Sequence, residues 1–577
     1  MKAISRRKAS KNPTMASTAS LRSRRSAAQL HALVGVEREI KANDPNSRRK
    51  YLQDFSQAFR SYESVLDSSK VEESVCEADI VLIGDYHALP AAQHFAGSLL
   101  AQRAKAADRP VVLGVETVFS RDQHILEEWL RREIEEDELR ERVRFDLDWG
   151  YEWAPFYELL ETAREHNTPV YGLDCMPRGD LRRAPIHDRH AAEKIAEVGT
   201  QHPDAVIVVL FGESHLAPTH LPQLLRAQSK NKRLLTVLQN VDALYWQAAG
   251  EQDHVKAVRV AEDVICVFNS TPLEKYESYR LCLDRWSEKD ADSPDLAPTV
   301  YNLIDGLLRF LGINRYASHN GTQPKFLVDL LPEVHCHPSD EQLCRLLWRK
   351  GRAEDEKEAV LQRLEERGSV YVARLNTLYV REFRMAYTAE EVARFLHHAC
   401  RGLPLRANGH TSDPIRAEDL FYARALENAL AYLGSRVMYP PRPPLREADL
   451  YELYEQTCED VEQQSSFSFR EFMKMADFMI LHREFELNPQ RFPETPKPIE
   501  EGVQSTGEKF DYATQQLGYL LGSDLYDAYL EGRVTRGVLR RLFMTHLEQL
   551  GAARDMYFSL VRKVRAGRKR ERGEAGK

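Results

Sequence analysis

Four short apolar runs punctuate the first half of the chain: Ile80 to Ile83, Val111 to Val115, Pro169 to Leu173 and Ala205 to Phe211. The first leads into Gly84-Asp85-Tyr86-His87 and the fourth into Gly212-Glu213-Ser214-His215, while the second stops at Glu116 and the third at Asp174. Uninterrupted apolar runs of this length fit strands buried on both faces, and helical stretches between them complete a βαβ pattern. The helices expected are Ala91 to Ala106, a segment capped by Ser120 with Ile125, Trp129 and Leu130 on its buried face, Ala154 to His166, and about Asp188 to Val198. Tyr51, Phe55, Phe59 and Tyr62 form one apolar stripe and predict a helix over 49–70. Two more strands are expected at Arg233 to Leu238 and Val264 to Phe268, then a short helix over 276–286. Residues 131–144 are almost all charged and read as solvated helix, and Asp148 to Trp153 is an aromatic patch that fits either a core staple or a pocket wall.

After residue 286 the pattern changes. Ser287 to Pro298 is charged, carries two prolines and reads as a linker. Beyond it, amphipathic stretches predict helices at Thr299–Leu311, Asp340–Trp348, Glu356–Glu366, Thr388–Ala399, Ala417–Leu433, Ala448–Val461, Phe469–Leu481, Lys509–Leu521 and Val534–Arg562. Thr388-Ala389-Glu390-Glu391 has the form of a capping box. Val370 to Val380 is β-like, and Tyr439–Pro444 and Phe492–Pro498 are Pro-rich breaks. The expected organisation is a basic disordered arm over 1–48, a mostly parallel α/β domain over 49–286, a mostly α-helical domain over 299–562 and a basic tail over 563–577.

Composition narrows the setting. A net charge of −8 gives no general argument for nucleic-acid binding, and no apolar stretch is long enough to span a membrane. Eight cysteines without a Cys-x-x-Cys pair fit reduced thiols better than a disulfide framework. Residues 1–36 hold eight basic residues and no acid, without an apolar signal core. A cytoplasmic location is expected, or an organellar one if this segment is a transit peptide. A homodimer is one candidate assembly, and the partner of the helical domain is unknown.

The chemistry gathers at the strand ends. In open parallel sheets the ligand crevice lies outside the carboxyl ends of the strands. His87, Glu116, Asp174 and His215 all stand there, and a glycine ahead of each histidine lets the chain leave its strand sharply. Two imidazoles and a carboxylate suit either a divalent metal with an open position or proton transfer to a bound substrate. Asp85, Asp174, Asp188 and Glu213 are candidates for the surrounding shell. Ser214 lacks the second glycine of a nucleophile elbow. His335-Cys336-His337 with Cys344 matches no common zinc spacing, and His397-His398 reads as helix packing.

From Ile80 to about Leu225 the chain resembles the ChaN haem-binding uptake domain of the Tiki superfamily, which also includes erythromycin esterases. The resemblance rests on Gly84-Asp85-Tyr86-His87 with Gln93-His94, Gly114-Val115-Glu116 with Gln123, and Tyr171-Gly172-Leu173-Asp174. Asp188 with Ala192 and Ile195, then Gly212-Glu213-Ser214-His215 with Leu221-Pro222, complete it. It implies a central site of His87, Glu116 and His215 that holds haem or a divalent metal. Tyr86, His87 and His215 are the candidate haem contacts; haem iron takes such axial ligands. It also implies a hydrolase of ester or amide bonds as an alternative. Where the family commonly shows Arg-Asp, this chain has His187-Asp188; Arg178, Arg182 and Arg183 are the nearby arginines. A small-molecule binder, a hydrolase and an interaction scaffold are the three functions expected.

Overall fold

The computed structural model describes residues 15–43, 50–106, 109–175, 183–250, 255–287, 295–314, 331–349, 354–401, 414–452, 469–492, 508–547 and 549–565. They fall into two compact units, Met1–Ser26 with Leu33–Pro294, and Ala27–Ala32 with Asp295–Lys577.

The first unit is built on eight strands: β1 (Ser64–Leu66), β2 (Ile80–Asp85), β3 (Val111–Phe119), β4 (Val170–Asp174), β5 (Val206–Gly212), β6 (Leu234–Gln239), β7 (Ala257–Ala261) and β8 (Val264–Val267). Their order in the sheet is β1-β7-β8-β6-β2-β5-β3-β4. All pairs from β8 to β4 are parallel, and only the β1–β7–β8 edge is antiparallel. The apolar runs are uninterrupted because both faces are covered. Val81, Ile83, Leu113, Val115, Val208 and Leu210 enter one core with Trp129, Trp149, Trp153 and Phe156. Ile80, Leu82, Val112, Ile207, Val209 and Phe211 enter the other with Phe55, Phe59, Ala192 and Ile195. Each such side chain contributes about 1.5–3 kcal/mol when fully buried. Going from β2 to β3 and β4 the chain winds one way, then returns to lay β5 between β2 and β3. In open parallel sheets such a reversal is where a ligand crevice is expected, here at the ends of β2, β5 and β3.

Several local expectations change. Met15–Asn43, expected within a disordered arm, is helical: its alanines and leucines favour helix, and Ala28, Ala32, Leu33, Val36 and Ile40 are buried. The helix expected over 49–70 stops at Ala58, and Ser64–Leu66 instead pairs with β7. Phe59 still packs in the core, so the stripe continues without the helix. Ser120 does not cap a helix; its Oγ lies 2.8 Å from His190 Nε2. The charged stretch 131–144 holds only the short helix Glu136–Arg142, and buries Ile134, Leu139 and Val143.

The second unit is mostly helical, with helices Ala297–Leu311, Met385–Arg401, Pro414–Met438, Phe469–Leu487, Glu508–Leu530, Arg536–Met544 and Ala552–Arg565 among others. The single helix expected over Val534–Arg562 is therefore two, separated by a turn in which Gly551 takes φ +85°. Thr388 is not a cap, since its helix begins at Met385 and the residue is buried. The β-like segment forms a hairpin of β10 (Ser369–Val372) and β11 (Thr377–Val380), joined in parallel by β9 (Glu333–Cys336). Most of the expected helix Ala448–Val461, the Pro-rich segment 493–498 and the tail beyond 565 lie outside the described residues. Among the described residues no helix is long and apolar enough to cross a membrane, and the cysteines are free thiols.

Candidate functional site

Three neighbouring strand ends supply the site. Asp85, the last residue of β2, is buried and accepts from Gln93 Nε2 through Oδ1. Its Oδ2 lies 2.5 Å from His87 Nδ1. A carboxylate can only accept, so His87 carries its proton on Nδ1 and turns Nε2 inward. His215, in the 3₁₀ turn after β5, repeats the device: Nδ1 lies 2.6 Å from Asp188 Oδ1 on the helix Ala184–Gln201. Tyr51 adds a third group, with its hydroxyl 2.8 Å from Asp188 Oδ2 and 2.9 Å from His215 Nδ1. Burial and the Asp188 charge hold the Tyr51 phenol protonated, so it donates. Its ring stacks on His220 at 3.9 Å.

Glu116 completes the set from β3. The strand runs on to Phe119, so Glu116 is an extended, buried residue and not a helix cap. Its Oε2 accepts from the Gly212 N–H and stands 3.6 Å from His87 Nε2; Oε1 stands 3.9 Å from His215 Nε2. These separations exceed hydrogen bonds. The two inward Nε2 atoms face one carboxylate, and histidine ligands characteristically give their other ring N–H to a carboxylate, but the ligand atoms of the three groups do not all come within 4.8 Å of one another.

Gly212 forms the floor. A Cβ there would stand 3.0 Å from Glu116 Oε2, 3.2 Å from His87 Nε2 and 3.3 Å from His215 Cδ2. The three groups thus converge on one backbone position that has no side chain. The wall beside His87 is aromatic: Trp149, Tyr151 and Phe156 have ring centres 5.5, 5.2 and 6.3 Å from the imidazole. Trp149 and Trp153 of the aromatic patch pack in the core, as the staple reading expects, and Tyr151 packs against that core beside His87. Tyr151 meets Trp286 at 5.3 Å, and Trp286 is 40% exposed, so the aromatic wall reaches the surface.

The other candidates sort differently. Tyr86 faces Lys275, whose Nζ is 4.5 Å from the ring centre, and burial raises its phenol well above the usual range. Glu213 pairs with Lys275 at 2.9 Å, and burial still pushes its carboxyl up. Asp174 pairs with His187 at 2.5 Å. Arg183 is exposed, and Arg178 and Arg182 lie outside the described residues. In the helical unit His335 stacks on Tyr379, Cys336 Sγ accepts from Leu296 N, and His398 lies 3.2 Å from Glu427. Burial holds His397 well below its usual value. Tyr51 and Gly212 were the groups sequence reasoning missed; a tyrosine inside an apolar stripe is a signal, because its buried hydroxyl needs a partner.

The fold and site define an α/β domain with a strand-end His/Glu centre. Residues 71–185 match the family model described as "Haem-binding uptake, Tiki superfamily, ChaN". This segment is therefore ChaN-like; it includes His87 and Glu116 and ends before Asp188 and His215. A solved structure titled "Cofacial heme binding to ChaN of Campylobacter jejuni" aligns at 11% identity, covering 32% of this chain and 93% of that chain, with a TM-score of 0.23. No curated protein matches the chain.

Proposed function

We propose that the α/β unit binds a metal-centred small ligand, haem first, at His87, Glu116 and His215. The observation that carries this reading is the convergence of two carboxylate-backed imidazoles on Glu116 above the bare Gly212 backbone. The family description of residues 71–185 favours haem. So does the chain of rings from His87 through Tyr151 to the exposed Trp286, which suits a flat apolar macrocycle. Bound haem would supply an iron that takes imidazole as a ligand. His87 and His215 present Nε2 for that role, each held by its aspartate, and Glu116 balances the metal's charge. A divalent ion held by the same three residues is the second reading, favoured by the two Nε2 atoms facing one carboxylate.

Haemin titration followed at the Soret band tests the proposal, with bound metals measured on the same protein. A saturable shift that weakens at least tenfold in His87→Ala or His215→Ala is expected. Bound metal without a Soret shift would replace haem with the divalent-ion reading, and neither signal would remove both.

A further inference from the structure

The first turn of the helix Ala184–Gln201 faces two strand ends. Asp188 reaches His215 beyond β5, while its neighbour His187 turns to the end of β4. There Asp174, Cys175 and His187 each bring one ligand atom within 4.8 Å of the other two, the only such trio of histidine, cysteine or acid among the described residues. The Cys175 N–H donates to Asp174 Oδ1 at 2.7 Å, a local bend at the strand end beside the thiol. His187 Nδ1 lies 2.5 Å from the same oxygen. Asp174 has no exposed surface, and its Oδ2 is buried without a hydrogen-bond partner. An orphaned buried acceptor of this kind is costly, more so when charged, and a bound ion is one of the arrangements that would satisfy it.

We propose that Asp174, Cys175 and His187 bind a divalent transition-metal ion of the zinc class, at a site separate from His87, Glu116 and His215. A His187–Asp174 ion pair accounts for Oδ1 but leaves Oδ2 without a hydrogen-bond partner, while the Cys175 thiol faces the Asp174 side chain, and burial and that carboxylate hold it above its usual value. Imidazole, thiolate and carboxylate together are a zinc-type donor set, whereas calcium and magnesium take oxygen ligands and disfavour sulfur. On binding, the metal–sulfur bond replaces the S–H bond of Cys175 and the proton leaves to solvent. Three protein ligands leave the fourth position of a tetrahedral ion for water or an incoming donor.

The test uses the full chain carrying His87→Ala and His215→Ala, so that retained metal cannot come from the first site. Cobalt(II) is the probe because a thiolate ligand gives a charge-transfer band in the near ultraviolet. One equivalent of cobalt with that band is expected, and Cys175→Ser should abolish the band and weaken binding at least tenfold while circular dichroism stays unchanged. In the unsubstituted chain, zinc should slow alkylation of Cys175, read by mass spectrometry of its peptide. This second measurement decides the matter even if Cys175→Ser fails to fold. No bound cobalt in the folded double variant, a band that survives Cys175→Ser, or alkylation of Cys175 indifferent to zinc would overturn the proposal. Because the haem reading is tested by the Soret band and by His87 and His215, the two can fail independently.

Discussion

In the helical unit, Glu390 lies fully buried among Arg367, Arg394 and Arg442, with the last at 2.7 Å. Glu427 is set against Arg394 and Arg424, and Glu486 against Arg483. In the α/β unit, Asp85, Asp174 and Asp188 lie equally deep, but each is set against an imidazole. The partner changes what the buried charge can do. Guanidinium is always charged, so the helical network is a fixed structural balance. Imidazole gives one N–H to its aspartate and keeps a second nitrogen that can take a proton or a metal. Buried carboxylates are therefore set against fixed charges in one unit and against titratable imidazoles at the proposed site in the other.

The strongest way to break this comparison is Glu390→Ala. It strands several guanidiniums, and a loss of about 3–5 kcal/mol is expected from denaturant unfolding. A loss well under that would mean the arginines reach water. The pH profile sharpens the same point. Burial pushes the Glu390 carboxyl up, but Arg442, Arg367 and Arg394 outweigh it and hold it below its ordinary 4.5. Its contribution should then be complete above the ordinary carboxylate range and fade only as pH falls below it. Stability of the helical unit, followed by circular dichroism during acid titration, checks the sign.

Gly212→Ala probes the other side. Its Cβ would press between Glu116 and His87, so the expected result is at least a tenfold loss of haemin affinity with a stability cost of about 1–3 kcal/mol. Unchanged affinity would place the ligand elsewhere. The smallest effect is expected for Tyr51→Phe, which removes a hydroxyl held by Asp188 and costs about 1 kcal/mol in thermal unfolding. Haemin binding should survive it, because Asp188 still holds His215.

How much of this could be read from the chain follows from the range of each interaction. The strands were readable because burial on both faces leaves Val206 to Phe211 without a polar break. The convergence of His87, Glu116 and His215 was readable because strand ends in a parallel sheet lie together whatever their separation in sequence. Tyr51 was not, since it meets Asp188 across 137 residues and nothing in its helical stripe names that partner. Nor was the grouping of Asp174, Cys175 and His187, where His187 stood as a departure from a family pattern and Cys175 as one thiol among eight. Local capping signals also failed at Ser120 and Thr388, where tertiary contacts took the hydroxyls. In the second unit the helices show from their periodicity, but the arginine–glutamate network does not, because periodicity reports faces and not partners.

His187 and Asp188 are consecutive residues on one rigid helical turn, and each answers to a different strand end. A displacement of that turn is shared by both. Occupancy of the site proposed at β4 and of the one proposed at β5 would thus be thermodynamically linked wherever either one shifts the turn. Such linkage is reciprocal: the factor by which occupancy of the first centre changes affinity at the second is the factor by which the second changes the first.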